Sequence, residues 1–411
     1  MSGSLSHIRV CDLGGQLAGA GATKILAAFG AQVIRVEDPV TRGMWDALRG
    51  VGPFVDERRG VNLGGGFNNH NAGKLGVTIN LRTSEGTALL EDLVAVSDIV
   101  CENFAAGVME RRGFGYDRLR EIKPDIIYVA NCGFGHTGPY RDFKTWGPIV
   151  QALSGLTFNS GLPDTEPAGW GFSYMDHMAA YHATVAILGA LHQRARTGSG
   201  EYIDLATVPA GITMSPTTVL DATVNGRRQR LAGQPKGNRA EFDEMAPHGI
   251  YPIAGDDRWI AIACRDDDDF TALASVLDVD ALRASRFAEL SGRLADADGL
   301  DDAIAAATRD RDGATLARDL VTAGVPASVV ASPAERIDGD PDMGRWGLFP
   351  TVEHPEIGTV RVEGLPLHFS ETPWEITEPA PLLGQHNAEV FGGILGRTDA
   401  ELTELGEVGA L

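Results

Sequence analysis

Residues 8–37 read IRVCDLGGQLAGAGATKILAAFGAQVIRVE. An apolar run at 8–13 suits a buried strand. Gly14 to Gly21 forms a flexible turn, 22–29 a helix, and Gly30 its stop, since glycine takes the left-handed conformation that ends helices. A second apolar run, 32–37, closes on Glu37. This is a β-α-β unit, the opening of a parallel α/β sheet. An acid at the end of the second strand suggests a ribose partner, but the dinucleotide fingerprint is broken: Lys24 stands where the third glycine is needed. No NAD site is expected. What remains is a turn able to bring backbone N–H groups to a phosphate.

The α/β alternation continues outward. Residues 42–70 lack periodicity and hold Gly64-Gly65-Gly66, a long loop of the kind that often carries function. Asn71-Ala72-Gly73-Lys74 leads into strand 77–81, then a helix from Ser84 to Ala95 and a strand at 98–100 ending in Glu102-Asn103-Phe104. Lys74 and Asn103 therefore sit in loops beside strands, where such folds bind ligands. Arg111-Arg112 is either a solvated helix end or part of an anion patch. Strand 125–131 exits through Gly133-Phe134-Gly135-His136-Thr137-Gly138, which permits close backbone approach. Asp176 lies where a small-residue aromatic loop meets a long apolar helix ending at Arg194 and Arg196. It reads either as a helix cap or as an ionised nucleophile at a helix mouth.

From about residue 246 the texture changes to a hairpin, 250–264, followed by short Ala- and Asp-rich helices. The expected division is a large domain over 1–210, a connector over 211–245, a small α+β domain over 246–325, and a return to the large domain over 326–411. The connector holds the basic stretches 226–230 and 233–239. The run Asp266-Asp267-Asp268-Asp269 lacks calcium-loop spacing and reads as a solvated turn.

Composition limits the partners. With 35 Lys and Arg against 56 Asp and Glu, the net charge of −21 repels nucleic acid and anionic membranes, so an anionic ligand needs a local basic patch. No apolar run is long enough to span a membrane, and the first seven residues have no signal-peptide core, so a cytoplasmic location is expected. The four cysteines form no CxxC pair, which indicates neither a zinc site nor a disulfide framework; no metal is expected.

Taken together and in order, these pieces resemble the class III CoA-transferases, the group of formyl-CoA, carnitine and bile-acid-inducible CoA-transferases. The matching stretches are 17–19, 30–37, 71–74, 98–104, 133–140, Asp176 before its helix, 196–200, 246–251, 323–326 and 382–386. The resemblance implies a Rossmann-like large domain built from both chain ends, a small inserted domain, and an interlocked homodimer. It implies coenzyme A as co-substrate, contacted by Leu17, Ala18, Asn71, Lys74, Asn103, Phe104 and Arg111. It gives Asp176 the role of nucleophile, forming an anhydride and then an aspartyl-CoA thioester, with an acyl-CoA and a small carboxylic acid as substrates.

Some positions depart from that pattern. Asp38 replaces an arginine expected after Glu37, with Arg42 or Arg112 as substitutes. The formyl-CoA transferase glycine run is replaced by residues 233–239, which argues against formyl-CoA and oxalate. Trp45, Trp146, Trp170, Phe172 and Tyr174 hint at a bulkier, less polar acid. The related racemases need a histidine where this chain has Trp146, and neither His136 nor His177 fills that position. Racemisation and a non-catalytic CoA-binding protein are the alternative readings.

Overall fold

The structure, a computed structural model, describes residues 3–227, 229–240 and 244–411. Met1 and Ser2 of the N-terminal segment, Arg228 of the basic stretch, and 241–243 of the expected connector lie outside the described residues. The chain divides into two compact units: Met1–Thr157, Gly169–Gly226 and Asp342–Leu411 form one, and Phe158–Ala168 with Arg227–Pro341 the other.

The first unit carries six parallel strands: β1 (Arg9–Asp12), β2 (Gln32–Glu37), β3 (Leu75–Thr78), β4 (Ile99–Glu102), β5 (Ile127–Cys132) and β6 (Glu201–Ala206). Their order is β3-β2-β1-β4-β5-β6, the doubly wound arrangement of nucleotide-binding folds. Strands β1 to β5 are buried on both faces, which is why they read as continuous apolar runs rather than alternating ones, whereas the edge strand β6 is partly exposed. On β5, Tyr128 and Ala130 pack into one core layer, while Ile127 and Val129 pack into the other.

The second layer is made by α1 (Gln16–Ala28) and α7 (Tyr174–Thr197). Ala180, Ala183, Ile187 and Ala190 recur at helical spacing and are buried there. A Cβ on Gly21 would lie 3.0 Å from that of Ala180, so the glycine allows the two helices to touch. Helix α1 begins at Gln16, six residues before the expected start at Ala22, so Leu17 to Gly21 are helical rather than turn. Between α1 and α7 in the chain come α2 (Gly65–Asn71), α3 (Ser84–Ala95), α4 (Val108–Arg111), α5 (Tyr116–Ile122) and α6 (Gly147–Leu153). The first of these gives order to a stretch that reads as loop.

The C-terminal part closes the sheet's outer edge. His386 Nδ1 accepts from the Gly76 N–H at 2.9 Å, and Asn387 Oδ1 accepts from the Thr78 N–H at 2.9 Å. These are donors that an edge strand otherwise leaves open for unwanted pairing. Val390 and Phe391 then enter the core beside Val77 and Leu90.

The second unit holds a three-stranded antiparallel sheet, β7 (His248–Pro252), β8 (Trp259–Ala263) and β9 (Ala327–Val329), with helices packed around Phe270, Leu273, Ile304 and Leu316. The expected hairpin is present as β7 and β8. The boundaries differ from 246–325. Pairing of β9 with β8 keeps the chain in this unit beyond residue 326, up to Pro341, and its start lies at Arg227. The return strands 351–354 and 358–361 form an antiparallel hairpin in the first unit.

Beneath the carboxyl ends of β1 and β2 lies a fully buried ionic cluster. Lys74 Nζ donates to Asp12 Oδ2 (3.0 Å), the Ala20 carbonyl (2.9 Å), Thr23 Oγ1 (2.8 Å) and Asn71 Oδ1 (3.0 Å). Arg35 Nη2 donates to Asp46 Oδ2 at 2.8 Å, and Asp46 Oδ1 accepts from the Gln16 N–H at 3.1 Å. Removing one partner strands a buried charge. Lys74→Met should therefore destabilise the protein by about 3–5 kcal/mol in denaturant unfolding, and Asp12→Asn in the same chain should return part of the loss.

Candidate functional site

The strand order reverses between β1 and β4, and ligands of such sheets bind in the crevice that opens there. Asn103, just after β4, joins the two halves: its Oδ1 accepts from the Gly15 N–H (2.6 Å) and its Nδ2 donates to the Gly15 carbonyl (2.9 Å). Phe104 follows, its N–H donating to Glu102 Oε2 at 2.5 Å. Burial pushes the Glu102 carboxyl up to about 8, and Tyr128 donates to its other oxygen at 3.0 Å. The Phe104 ring meets Trp45 at 5.3 Å, and Arg35 lies over Trp45 at 4.8 Å.

A cavity of about 270 Å³ opens at this crevice. Ala18 of α1, Asn103 and Phe104, the end of β5, the loop carrying Arg141, Lys144 and Trp146, and Asp176 all contribute to its wall. Among its lining residues Asp176 is the one carboxylate, and there is no imidazole.

Asp176 is not the helix cap. Ser173 precedes the helix, and Asp176 lies in the first turn, its own N–H bonded to the Ser173 carbonyl at 3.1 Å. Among the described residues its carboxylate has neither a hydrogen-bond donor nor an ion-pair partner. Burial raises its pKa from 3.8 to about 6. Desolvation thus outweighs the helix dipole expected to keep it ionised, yet at pH 7 about nine-tenths of it is carboxylate. An oxygen that is charged but poorly solvated is a good nucleophile. Cys132 also lines the cavity, but burial pushes its thiol up to about 11, so little thiolate is available there.

The remaining residues singled out from the sequence separate into two groups. Ala18, Asn103 and Phe104 share the cavity with Asp176. Leu17 is buried in the first turn of α1. Asn71 and Lys74 are not presented to a ligand: both are buried, Asn71 donating to the Phe67 carbonyl at 3.1 Å and Lys74 enclosed by its four acceptors. Burial also lowers the Lys74 pKa. Arg111 is exposed at the end of α4. A Cβ on Gly107 would lie 2.7 Å from Arg111 Nη1 and 3.6 Å from Arg141 Nη2, so the two guanidinium groups converge over a glycine at φ +78°. Asp38 is paired with Arg82 at 3.0 Å. Glu37, the residue positioned for a ribose, is held by Arg49 through both carboxylate oxygens.

Arg141, Lys144, Asn131 and Thr207 line the cavity but were not singled out by sequence reasoning. A signal existed for the first two: they are isolated cations in an acidic chain, directly after the glycine-dense exit of β5. His136 is buried elsewhere, 3.7 Å from Glu102 and 3.7 Å from Glu110. His177 faces His70 at 5.7 Å between ring centres. The second unit has a cavity of about 300 Å³, but Arg239 there is tied to Asp298 and Asp301.

Comparison with known proteins shows the family of the chain. The family model described as CoA-transferase family III matches residues 5–387. A succinyl-CoA–D-citramalate CoA-transferase of Chloroflexus aurantiacus is 34% identical over 98% of this chain and 96% of its own length. A succinate–glutarate CoA-transferase of Agrobacterium fabrum is 33% identical over 94% of each. A CAIB/BAIF family protein from Brucella suis has a similar structure, with a TM-score of 0.86 and 29% identity over 96% of this chain and 100% of that one.

The elevated Asp176 pKa has a sign that stability can read. A carboxyl that holds its proton more tightly when folded favours folding below 3.8, and that contribution is lost as pH rises through about 6. Asp176→Asn escapes the loss. The variant should be more stable than the parent by up to about 3 kcal/mol at pH 8, with the difference shrinking toward pH 4 in paired denaturant titrations.

Proposed function

Since this chain belongs to CoA-transferase family III, we propose that it moves CoA from an acyl-CoA donor to a carboxylic acid acceptor through covalent intermediates on Asp176. The observation that carries this reading is the poorly solvated, unpartnered Asp176 carboxylate in the cavity at the sheet's switch point. One carboxylate oxygen attacks the thioester carbonyl carbon. The carbon–sulfur bond breaks, its electron pair leaves on sulfur, and a mixed anhydride remains. The CoA thiolate attacks the Asp176 carbonyl, releases the donor acid and leaves an aspartyl-CoA thioester. The acceptor carboxylate then attacks that thioester and expels the thiolate to give a second mixed anhydride, and the thiolate attacks the acceptor's carbonyl, forming the new acyl-CoA and freeing the Asp176 carboxylate. Each exchange divides one hard transfer into easier steps.

Ala18, Asn103 and Phe104 are assigned to CoA through the cavity they share with Asp176, and Leu17 through the backbone of the same helical turn. Arg111 and Arg141 suit phosphate oxygens, since paired guanidinium forks meet such anions well. Asn71 and Lys74 act from behind, holding the strand ends that present these groups. Arg141 and Lys144 also favour an anionic acid such as succinate, the acid named for both quoted relatives. A cavity with one carboxylate and no imidazole supports transfer over two-base racemisation.

The working unit is proposed to be an interlocked homodimer in the cytoplasm. Tyr181, Val185 and Leu188 leave an apolar stripe of α7 exposed by 49%, 71% and 45%, a surface that a second copy of the chain would cover. Sedimentation should give twice the chain mass.

The chemistry is tested by mixing the protein with succinyl-CoA, quenching, and mapping a CoA adduct by mass spectrometry. The adduct is expected on the Asp176 peptide, and Asp176→Asn should bind CoA yet lose nearly all turnover. Normal turnover by that variant ends the proposal. The rate should also climb as pH rises through about 6 and level off above it, because the carboxylate is the reactive form.

A further inference from the structure

The last residue but one of β5 carries a group that the steps above do not use. Asn131 is 3% exposed and belongs to the lining of the Asp176 cavity. Its Oδ1 accepts from the Thr207 hydroxyl at 2.9 Å. Its Nδ2 is buried and has no hydrogen-bond partner. A stranded amide N–H of this kind costs about 1–3 kcal/mol, a penalty that an apolar residue of the same shape would avoid. Side chains alternate along a strand, and Ile127 and Val129 face the layer of α1 and α7. Asn131 shares that face, on the side where α7 begins with Asp176. Other buried orphan groups exist among the described residues, including Gln151 Nε2 and both ring nitrogens of His136, but none of these lines the cavity.

We propose that Asn131 Nδ2 is the hydrogen-bond donor for the carbonyl oxygen of the bound thioester and for the oxyanion it becomes. The inference rests on the reading of Asp176 as nucleophile. When the Asp176 oxygen bonds to the carbonyl carbon, the carbonyl π pair moves onto oxygen, and a donor waiting there stabilises the charge. Collapse returns that pair and expels the CoA thiolate. The Thr207 hydroxyl lies 2.9 Å from Asn131 Oδ1 and 3.2 Å from the Cys132 carbonyl, and its donation to the nearer Oδ1 leaves Nδ2 as the free end. The donor is therefore set before the substrate arrives, and no reorganisation is needed as charge develops.

The test uses the full-length protein, succinyl-CoA and quenched-flow mass spectrometry. Asn131→Leu keeps the branched shape and removes the N–H. It should form the Asp176 adduct ~10²–10³-fold more slowly, the loss typical for one oxyanion donor, while the CoA dissociation constant stays within about threefold. A packing role alone would not separate adduct rate from CoA affinity. Adduct formation at the parental rate overturns the assignment. Should Asn131→Leu not fold, Thr207→Val decides instead. That variant keeps Asn131 but frees its amide, and a roughly tenfold slower adduct is expected, about one lost hydrogen bond; the parental rate overturns the assignment. Full turnover by Asp176→Asn would sink the nucleophile reading itself. A dead Asp176→Asn with an unimpaired Asn131→Leu sinks only the role of Asn131.

Discussion

The contact between Lys74 and Asp12 is the constraint on which the site depends. Asp12 ends β1, and its carboxylate accepts from Lys74 Nζ, from Thr23 Oγ1 and from the Gly14 N–H. One side chain thus fixes the strand end, the turn after it and the start of α1. Lys74 carries the same constraint to the segment before β3, and Arg35 with Asp46 extends it to the Gln16 N–H. Two buried ions are expensive to desolvate, and a hydrophobic pair of the same volume is often as stable. The cluster is better understood as a way to hold several chain segments in one register than as a source of stability.

Much of this was legible in the sequence, and the failures have physical causes. Strands β1 to β5 read correctly because burial on both faces leaves a largely apolar run. The stop at Gly30 read correctly because a positive φ there, +94°, favours glycine. The start of α1 was missed because glycines at 19 and 21 look like turn, whereas Gly21 serves close packing against α7 and Gly19 close approach to Gly14 and Asn103. Lys74 looked like a phosphate ligand because a lysine after Asn-Ala-Gly carries no sign of whether its charge faces solvent or a buried aspartate. That depends on Asp12, distant in sequence. Asn131 gave no signal at all: a polar residue at a strand end is ordinary, and only the placement of Thr207 shows which end of its amide is free.

Asp176 illustrates how two local effects compete. A helix N-terminus favours the anion, and loss of water disfavours it. Burial wins here, moving the group from 3.8 to about 6. The result suits the chemistry better than a strongly stabilised anion, because a carboxylate held by several donors would be a poorer attacking group. Cys132, which shares the cavity, follows the same logic: its thiol, pushed to about 11, is kept from competing with Asp176 near neutral pH.

The closure of β3 by His386 and Asn387 has a consequence for biosynthesis. These partners stand 310 and 309 residues away from the strand they complete. On the ribosome, all six strands of the parallel sheet emerge long before its outer edge can be sealed. The second unit, contained almost entirely between Arg227 and Pro341, is synthesised in that interval. The nascent chain therefore carries an open, hydrogen-bonding sheet edge from the synthesis of β3 until residues 386 and 387 appear.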